Sequence, residues 1–192
     1  MSRISFTPFP NLATERLNLR QLRSEDENEI FKLRSDERVM KFIAKPKYKT
    51  MEEAREFIDR INKGISKNEW IYWGITLRNE NTLIGTICLW NISEEHFRAD
   101  IGFELSPDFQ GRGMMQEAMT LVLDYGFKIM KLHTIEANVN PNNLPSIKLL
   151  ERNNFIREAY FKENFYYDGK FLDTAIYSLL AQSDTKQTMG KH

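Results

Sequence analysis

Apolar and other residues alternate over residues 100–105, Asp-Ile-Gly-Phe-Glu-Leu, and the alternation stops at Pro107, which has no N–H for a strand ladder. The pattern predicts a strand that empties into a loop. Over residues 115–131 apolar positions recur at helical spacing, so the loop Gln110-Gly111-Arg112-Gly113 leads straight into a helix. Upstream, Leu17 and Leu19 alternate with polar residues as a first strand, and Ser24 with Glu27 reads as a capping box for a helix through Ile30, Phe31 and Leu33. Thr50 with Glu53 forms a second box, and Ala54, Phe57, Ile58 and Ile61 make the stripe of a helix ending near Gly64. Residues 70–77 and 83–92 predict strands joined by a turn at 79–81. Downstream follow a strand at 133–139, a short helix at 145–152, and a hairpin of 159–167 with 171–180 turning at Asp168-Gly169. The order β-α-α-β-β-β-α-β-α-β-β places the chain in the α/β (α+β) class, with a mixed sheet of about seven strands between helices.

Composition narrows the choices. With 192 residues and 41% hydrophobic content, the chain suits one domain with a real core, assigned to residues 1–182, and a polar tail at 183–192. Its 27 basic and 27 acidic side chains cancel, so no global field draws it onto nucleic acid or an acidic membrane. Aromatic and basic residues mix around Lys162 and Lys170, but solvated strand faces account for them better than RNA contact. No apolar run reaches the roughly 18 residues of a membrane span, the start does not read as a signal peptide, and the expected location is the cytoplasm. Cys88, the single cysteine, sits in an apolar strand context as an inert thiol, and His96 and His133 lack metal-ligand spacing, so no metal is expected.

At the central junction, Gln110, Gly111, Arg112 and Gly113 present unpaired N–H groups at the positive end of a helix dipole, with two residues lacking a Cβ where a ligand approaches. A tight strand-to-helix turn has the same spacing. The Gly-x-x-x-x-Gly-Lys-Ser/Thr and early Gly-x-Gly-x-x-Gly patterns are missing, which points to a diphosphate ligand of another kind.

Gln110-Gly111-Arg112-Gly113-Met114-Met115 resembles the coenzyme A signature of the GNAT superfamily of acyl-coenzyme A transferases, Gln/Arg-x-x-Gly-x-Gly/Ala; Met115 departs from the small residue usual there. Thr14-Glu15-Arg16-Leu17-Asn18-Leu19-Arg20, Asp26, and Asn143-Leu144-Pro145-Ser146 before Asn153-Asn154-Phe155 resemble the Rim-type branch, the ribosomal-protein N-terminal acetyltransferases; spermidine acetyltransferases share the layout. Asn154 replaces a glycine and is the residue that best tolerates the left-handed conformation there.

The resemblance implies a GNAT fold, a mostly antiparallel sheet whose splayed strands bind acetyl-CoA as cosubstrate. It implies that residues 110–115, Gln110, Gly111, Arg112, Gly113, Met114 and Met115, hold the diphosphate. Backbone groups at Phe103, Glu104 and Leu105 would bind the pantetheine arm, the Leu105 N–H would polarise the thioester, and Asn143 and Ser146 would contact the cofactor near the second helix. Leu150 falls where many relatives carry a donor tyrosine, so the resemblance assigns proton donation to Ser146, which is also an ordinary first-turn residue. Glu104 leaves the strand opposite Phe103 and Leu105, either as general base in an acceptor groove or as an exposed sheet carboxylate. Asn138 stands where another Rim-type enzyme carries its Glu base, and Asp173 is assigned a structural role.

A peptide α-amine, with pKa about 7.7–8.0, is roughly a tenth neutral at pH 7, whereas a lysine amine near 10.4 is almost wholly protonated. The sparse base therefore suits direct acetyl transfer to the N-terminal amine of a protein, a ribosomal one on the resemblance. A polyamine or aminoglycoside acceptor, which would need an acidic groove, is the alternative, and a non-catalytic acyl-CoA sensor is the reading from another class. Two or three of the many aromatics are expected in the acceptor site, and the aromatic hairpin leaves a homodimer open.

Overall fold

Trp73, Ile75, Ile87 and Leu89 are fully buried, because the strands that carry them lie in the middle of a sheet covered on both faces. The computed structural model describes residues 4–182. Its sheet contains β1 (Leu12–Ala13), β2 (Leu17–Arg20), β3 (Ile71–Leu77), β4 (Leu83–Ser93), β5 (Arg98–Leu105), β6 (Thr134–Val139), β7 (Ile156–Tyr167) and β8 (Lys170–Leu180). The spatial order is β1-β2-β3-β4-β5-β6-β8-β7, and every pair is antiparallel except β5 with β6. The eighth strand is the two-residue β1, too short to register as an alternation. The helices are α1 (Glu27–Ser35), α2 (Glu37–Met40), α3 (Met51–Ser66), α4 (Met114–Asp124) and α5 (Leu144–Arg152).

Cross-strand partners share a face, and two contacts assign the helices to faces. Tyr72 pairs with Cys88 and packs edge-on against Phe57 of α3 at 5.6 Å, whereas its neighbour Trp73 meets Tyr125, just past α4, at 5.4 Å. Thus α1 and α3 cover one side and α4 the other.

Several local expectations are corrected. The first capping box is not Ser24 with Glu27: Asp26 accepts from the Arg23 N–H at 2.7 Å and from Arg20 at 2.7 and 2.8 Å, while Glu27 pairs with Arg55 of α3. The Thr50–Glu53 box does form, Glu53 Oε2 accepting from the Thr50 N–H at 2.9 Å. Helix α3 runs past Gly64, whose missing Cβ makes room for the Trp70 ring. The helix after the glycine loop does not stay regular to residue 131: Tyr125–Ile129 is a π turn in which the Met130 N–H reaches Tyr125 O. There Gly126 lies so close to Ile135 that a Cβ would come within 2.8 Å of its Cδ1. Asn154 takes φ 65°, the left-handed conformation expected of it. The tail at 183–192 lies outside the described residues.

The β5–β6 pair sets up the site. Pairing is limited to Arg98 with Thr134, Ala99 with Ile135 and Asp100 with Glu136, after which the strands part.

Candidate active site

Where β5 leaves β6, half of its backbone groups lose their ladder partner. The Ser106 N–H donates to Ile84 O on β4 at 2.8 Å, and successive residues of a strand turn their peptide groups to opposite sides. Phe103 and Leu105 therefore face the open wedge and Glu104 faces β4, which removes the Glu104 backbone from the expected pantetheine contacts. Gln110 Nε2 donates to Leu105 O at 2.9 Å, so the glutamine of the motif ties the loop back to the strand and leaves the Leu105 N–H toward the wedge.

Beyond β5 the chain turns through Pro107–Phe109 into the glycine loop. Gly111 and Gly113 have φ of 73° and 76°, and Gly113 is the N-cap of α4, with no side-chain cap on the first N–H groups. A Cβ at Gly111 would meet nothing within 4 Å and one at Gly113 only Arg16 Nη2 at 3.7 Å, so the protein itself does not fill the space above the loop. Arg16 pins the loop from just before β2, pairing with Glu117 at 2.6 Å and donating to Arg112 O at 3.2 Å. Met115 is buried and packs with the core, although it also borders the groove beside the loop.

A groove of about 370 Å³ runs from this loop along the end of β5 to α5. Of the expected cofactor residues, Phe103, Glu104, Leu105, Gln110, Gly111, Gly113, Met114, Met115, Asn143 and Ser146 line it, and Arg112 does not. Arg112 instead lies over the Phe109 ring, 5.8 Å from its centre. The groove also holds three cations that the sequence reading missed, Arg38, Lys148 and Arg152. Lys148 and Arg152 are four residues apart on α5, a spacing that places them on one helix face and was the available signal.

A second cavity of about 400 Å³ opens between the parted strands, lined by Ile101–Glu104 of β5 and Ala137–Val139 of β6, and is walled further by Trp70, Tyr72, Trp90, Phe42, Phe57 and Leu150. Among the described residues six aromatics line it, Phe42, Phe57, Trp70, Tyr72, Trp90 and Phe103, where two or three were expected; Trp73 is core. The groove and this cavity share Phe42, Ile43, Phe103, Glu104, Asn143 and Ser146 as wall residues, so they meet where β5 and α5 approach.

Glu104 stands at that junction, buried rather than exposed. Its Oε1 accepts from Arg34 Nη2 at 2.9 Å, Arg34 Nε at 3.2 Å and Thr86 Oγ1 at 3.1 Å, leaving Oε2 for a ligand. Arg34 also donates to Tyr72 OH at 3.2 Å, and that hydroxyl lies 3.2 Å from Thr86 Oγ1, which closes a ring of four polar groups. Burial works against the Arg34 charge, but the nearby Glu104, with Tyr72 and Tyr48, raises its pKa above the ordinary value. Burial raises the Tyr72 pKa, so it remains a neutral phenol. Cys88 lines the cavity, and burial pushes its thiol up to about 12, the state of an unreactive sulfur.

Ser146 lies in the first turn of α5, where Asn143 Oδ1 caps the helix by accepting from the Ser146 N–H at 3.3 Å. Asn138 lines this second cavity and donates to Asp100 at 3.4 Å. Asp173 lies outside both cavities and braces β7, accepting from Tyr160 OH and from the Glu163 N–H at 2.8 Å. Among the described residues no group of three or more His, Cys, Asp or Glu is placed to hold a metal, and no helix is long and apolar enough to cross a membrane.

A groove fit for an extended thioester arm, a loop fit for its diphosphate and a second cavity that meets the groove at the wedge together describe a two-substrate acyl transfer site. The acetyltransferase (GNAT) domain model matches residues 16–156. The chain is 34% identical over 169 residues to the uncharacterized N-acetyltransferase p20 of Bacillus licheniformis, covering 88% of this chain and 95% of that one. Among solved structures it resembles the ribosomal-protein-S5-alanine acetyltransferase of Vibrio fischeri, with TM-score 0.78, 26% identity and coverage of 93% and 100%. It also resembles the spermidine N-acetyltransferase of Vibrio cholerae in complex with CoA and spermine, with TM-score 0.76, 28% identity and coverage of 87% and 96%. The parted strands, the glycine loop and these relatives lead to one conclusion: the chain belongs to the GNAT family and is an N-acetyltransferase that uses acetyl-CoA.

Proposed function

We propose that this enzyme passes acetyl directly to the N-terminal α-amine of a protein, a ribosomal protein being the acceptor class named for its Rim-type relatives. One observation carries the reading. Among the described residues Glu104 is the single carboxylate in the acceptor-side cavity, and Arg34 and Thr86 already occupy one of its oxygens. Such a site offers no acidic clamp for a polycation and only one carboxylate oxygen as base, which suits an amine that is partly neutral before it binds. The similarity to the spermidine enzyme gives the small-amine reading its support, yet Glu94, Glu95 and Glu163, the acids that could have built a polyamine groove, are not in this wall.

In the proposed reaction the pantetheine arm lies along Phe103 and Leu105, and the Leu105 N–H donates to the thioester oxygen as negative charge develops on it. The amine nitrogen attacks the thioester carbon from the acceptor cavity and forms the C–N bond. Glu104 Oε2, directly or through water, takes the amine proton. As the C–S bond breaks, Ser146 Oγ gives a proton to the departing thiolate and regains one through water from the Glu104 carboxyl, so the amide and the free thiol leave the enzyme unchanged. No covalent enzyme intermediate is needed, in keeping with the inert Cys88.

The test is thiol release from acetyl-CoA against N-terminal peptides, lysine peptides, spermidine and an aminoglycoside at neutral pH. Turnover confined to N-terminal peptides is expected; equal or better turnover of spermidine would overturn the reading.

A further inference from the structure

The acceptor-side cavity lacks acid, and it also carries unneutralised cations. Lys45 and Arg60 line it, and among the described residues neither meets a carboxylate; Arg60 has only the Phe57 ring, 5.5 Å away. Arg34 is spent on Glu104. The cavity does not end there. Through Phe42, Ile43, Lys45 and Asn140 it continues into a hollow of about 360 Å³ that reaches the β7–β8 turn and is lined by Lys41 and Lys170. Lys41 has the Phe42 ring at 5.1 Å, and among the described residues neither lysine has a carboxylate partner. Of the two acids in that hollow, Glu37 pairs with Lys47 at 2.5 Å, leaving Asp168 against Lys41, Lys45 and Lys170. The surplus of positive charge thus begins in the acceptor cavity and extends away from the reacting centre, on a chain whose formal charge is zero.

Resting on the reading above, we propose that the acceptor is an acidic N-terminal segment: a free α-amine at Glu104 and Ser146, with carboxylate side chains in the residues that follow. Lys45 and Arg60 receive the first acidic side chain and Lys41 and Lys170 the next. The apolar walls take the side chain of the N-terminal residue. The length of the charged path favours a peptide over a compact metabolite, since a metabolite that reaches Glu104 leaves the outer lysines without a partner. The same cations also disfavour the ammonium form of any bound amine, which lowers its pKa and assists a site with a single carboxylate base.

Three peptides that share their first two residues and continue with Glu-Glu, Gln-Gln or Lys-Lys would be compared by kcat/KM in thiol release, beside phenylalanine and phenethylamine. The parent enzyme is expected to prefer the acidic peptide to the Gln-Gln peptide by about 10-fold at low salt, the worth of two or three half-exposed ion pairs, and the gap should narrow as salt rises. In the doubly charge-reversed variant Lys45→Glu/Arg60→Glu, both positions being exposed, the order should reverse. Peptide turnover without charge preference, or an acidic preference that survives in that variant, would sink this inference and leave the N-terminal reading standing. Turnover of phenylalanine over phenethylamine with no peptide acetylated would instead overturn the N-terminal reading and the peptide acceptor with it. Should no acceptor turn over, titrating the coenzyme A complex with the three peptides decides, equal affinities counting against the proposal.

Discussion

Arg34 of α1 and Glu104 of β5 form an ion pair at 2.9 Å inside the protein, joining a helix to the strand that carries the reacting site. Tyr72 and Thr86 complete the ring, so every group faces a partner. Removing one partner from such a pair leaves a buried charge alone. Arg34→Met is expected to lose about 3–5 kcal/mol of stability, and Arg34→Met/Glu104→Leu to recover much of it, by urea unfolding. Glu104→Gln, which keeps the size and an acceptor oxygen, should fold and should lower kcat by about 100-fold or more if Oε2 takes the amine proton.

Ser146→Ala isolates proton donation from helix capping, because the cap is the Asn143 side chain receiving a backbone N–H that alanine retains. Its kcat should fall by roughly 100-fold, with coenzyme A affinity and unfolding midpoint unchanged. A variant with parent-like kcat would remove Ser146 from the mechanism.

Gly113→Val puts a branched side chain at φ 76°, at the mouth of the uncapped α4 terminus. The left-handed strain costs about 1–2 kcal/mol of stability, while the filled space should weaken coenzyme A binding by at least about 10-fold. Calorimetry on the folded variant tests this, and unchanged affinity would refute the diphosphate assignment.

Gly64→Ala acts at a distance. The new Cβ would come 2.1 Å from Cε2 and Cζ2 of Trp70, a wall of the acceptor cavity, whose Nε1 donates to Ile61 O at 3.0 Å. Overpacking of this kind costs about 1–3 kcal/mol, and the displaced indole should raise the acceptor KM while coenzyme A affinity is unchanged.

Cys88 gives a pH signature. Its folded pKa of about 12 lies above the ordinary 9.0, so ionisation favours the unfolded chain; the contribution to stability is complete below pH 9.0 and is lost as pH rises toward 12. Between about pH 8 and 10.5 the parent should lose more stability than Cys88→Ala, and a thiol reagent at about pH 8 should label the native protein only slowly.

Periodicity alone located nearly every element, because strand alternation and helical stripes are local consequences of burying one face. The glycine loop was legible too, since residues without a Cβ sit most comfortably at φ above 70° before a helix, and so was Asn154, because asparagine best tolerates the left-handed region among residues that carry a Cβ. The Thr50–Glu53 cap is local as well. Gly64 and Gly126 could not be read that way: one makes room for Trp70 and the other for Ile135, neighbours that only packing supplies. The two-residue β1 has no periodicity to detect, and the π turn is one residue of slippage inside a helical stripe.

The site divides along the same line. The sequence by itself placed the glycine loop ahead of a helix, put Ser146 in the first turn of the next one and set the alternation that turns Glu104 away from Phe103, because each depends on neighbours a few residues apart. Only the tertiary structure decided that Glu104 is buried and paired, since Arg34 lies 70 residues away in the chain. Folding also brought Lys41, Lys45, Arg60 and Lys170 along one path from three separate segments. A balanced formal charge conceals such a field, because net charge adds over the whole chain whereas an acceptor responds to the few groups around it.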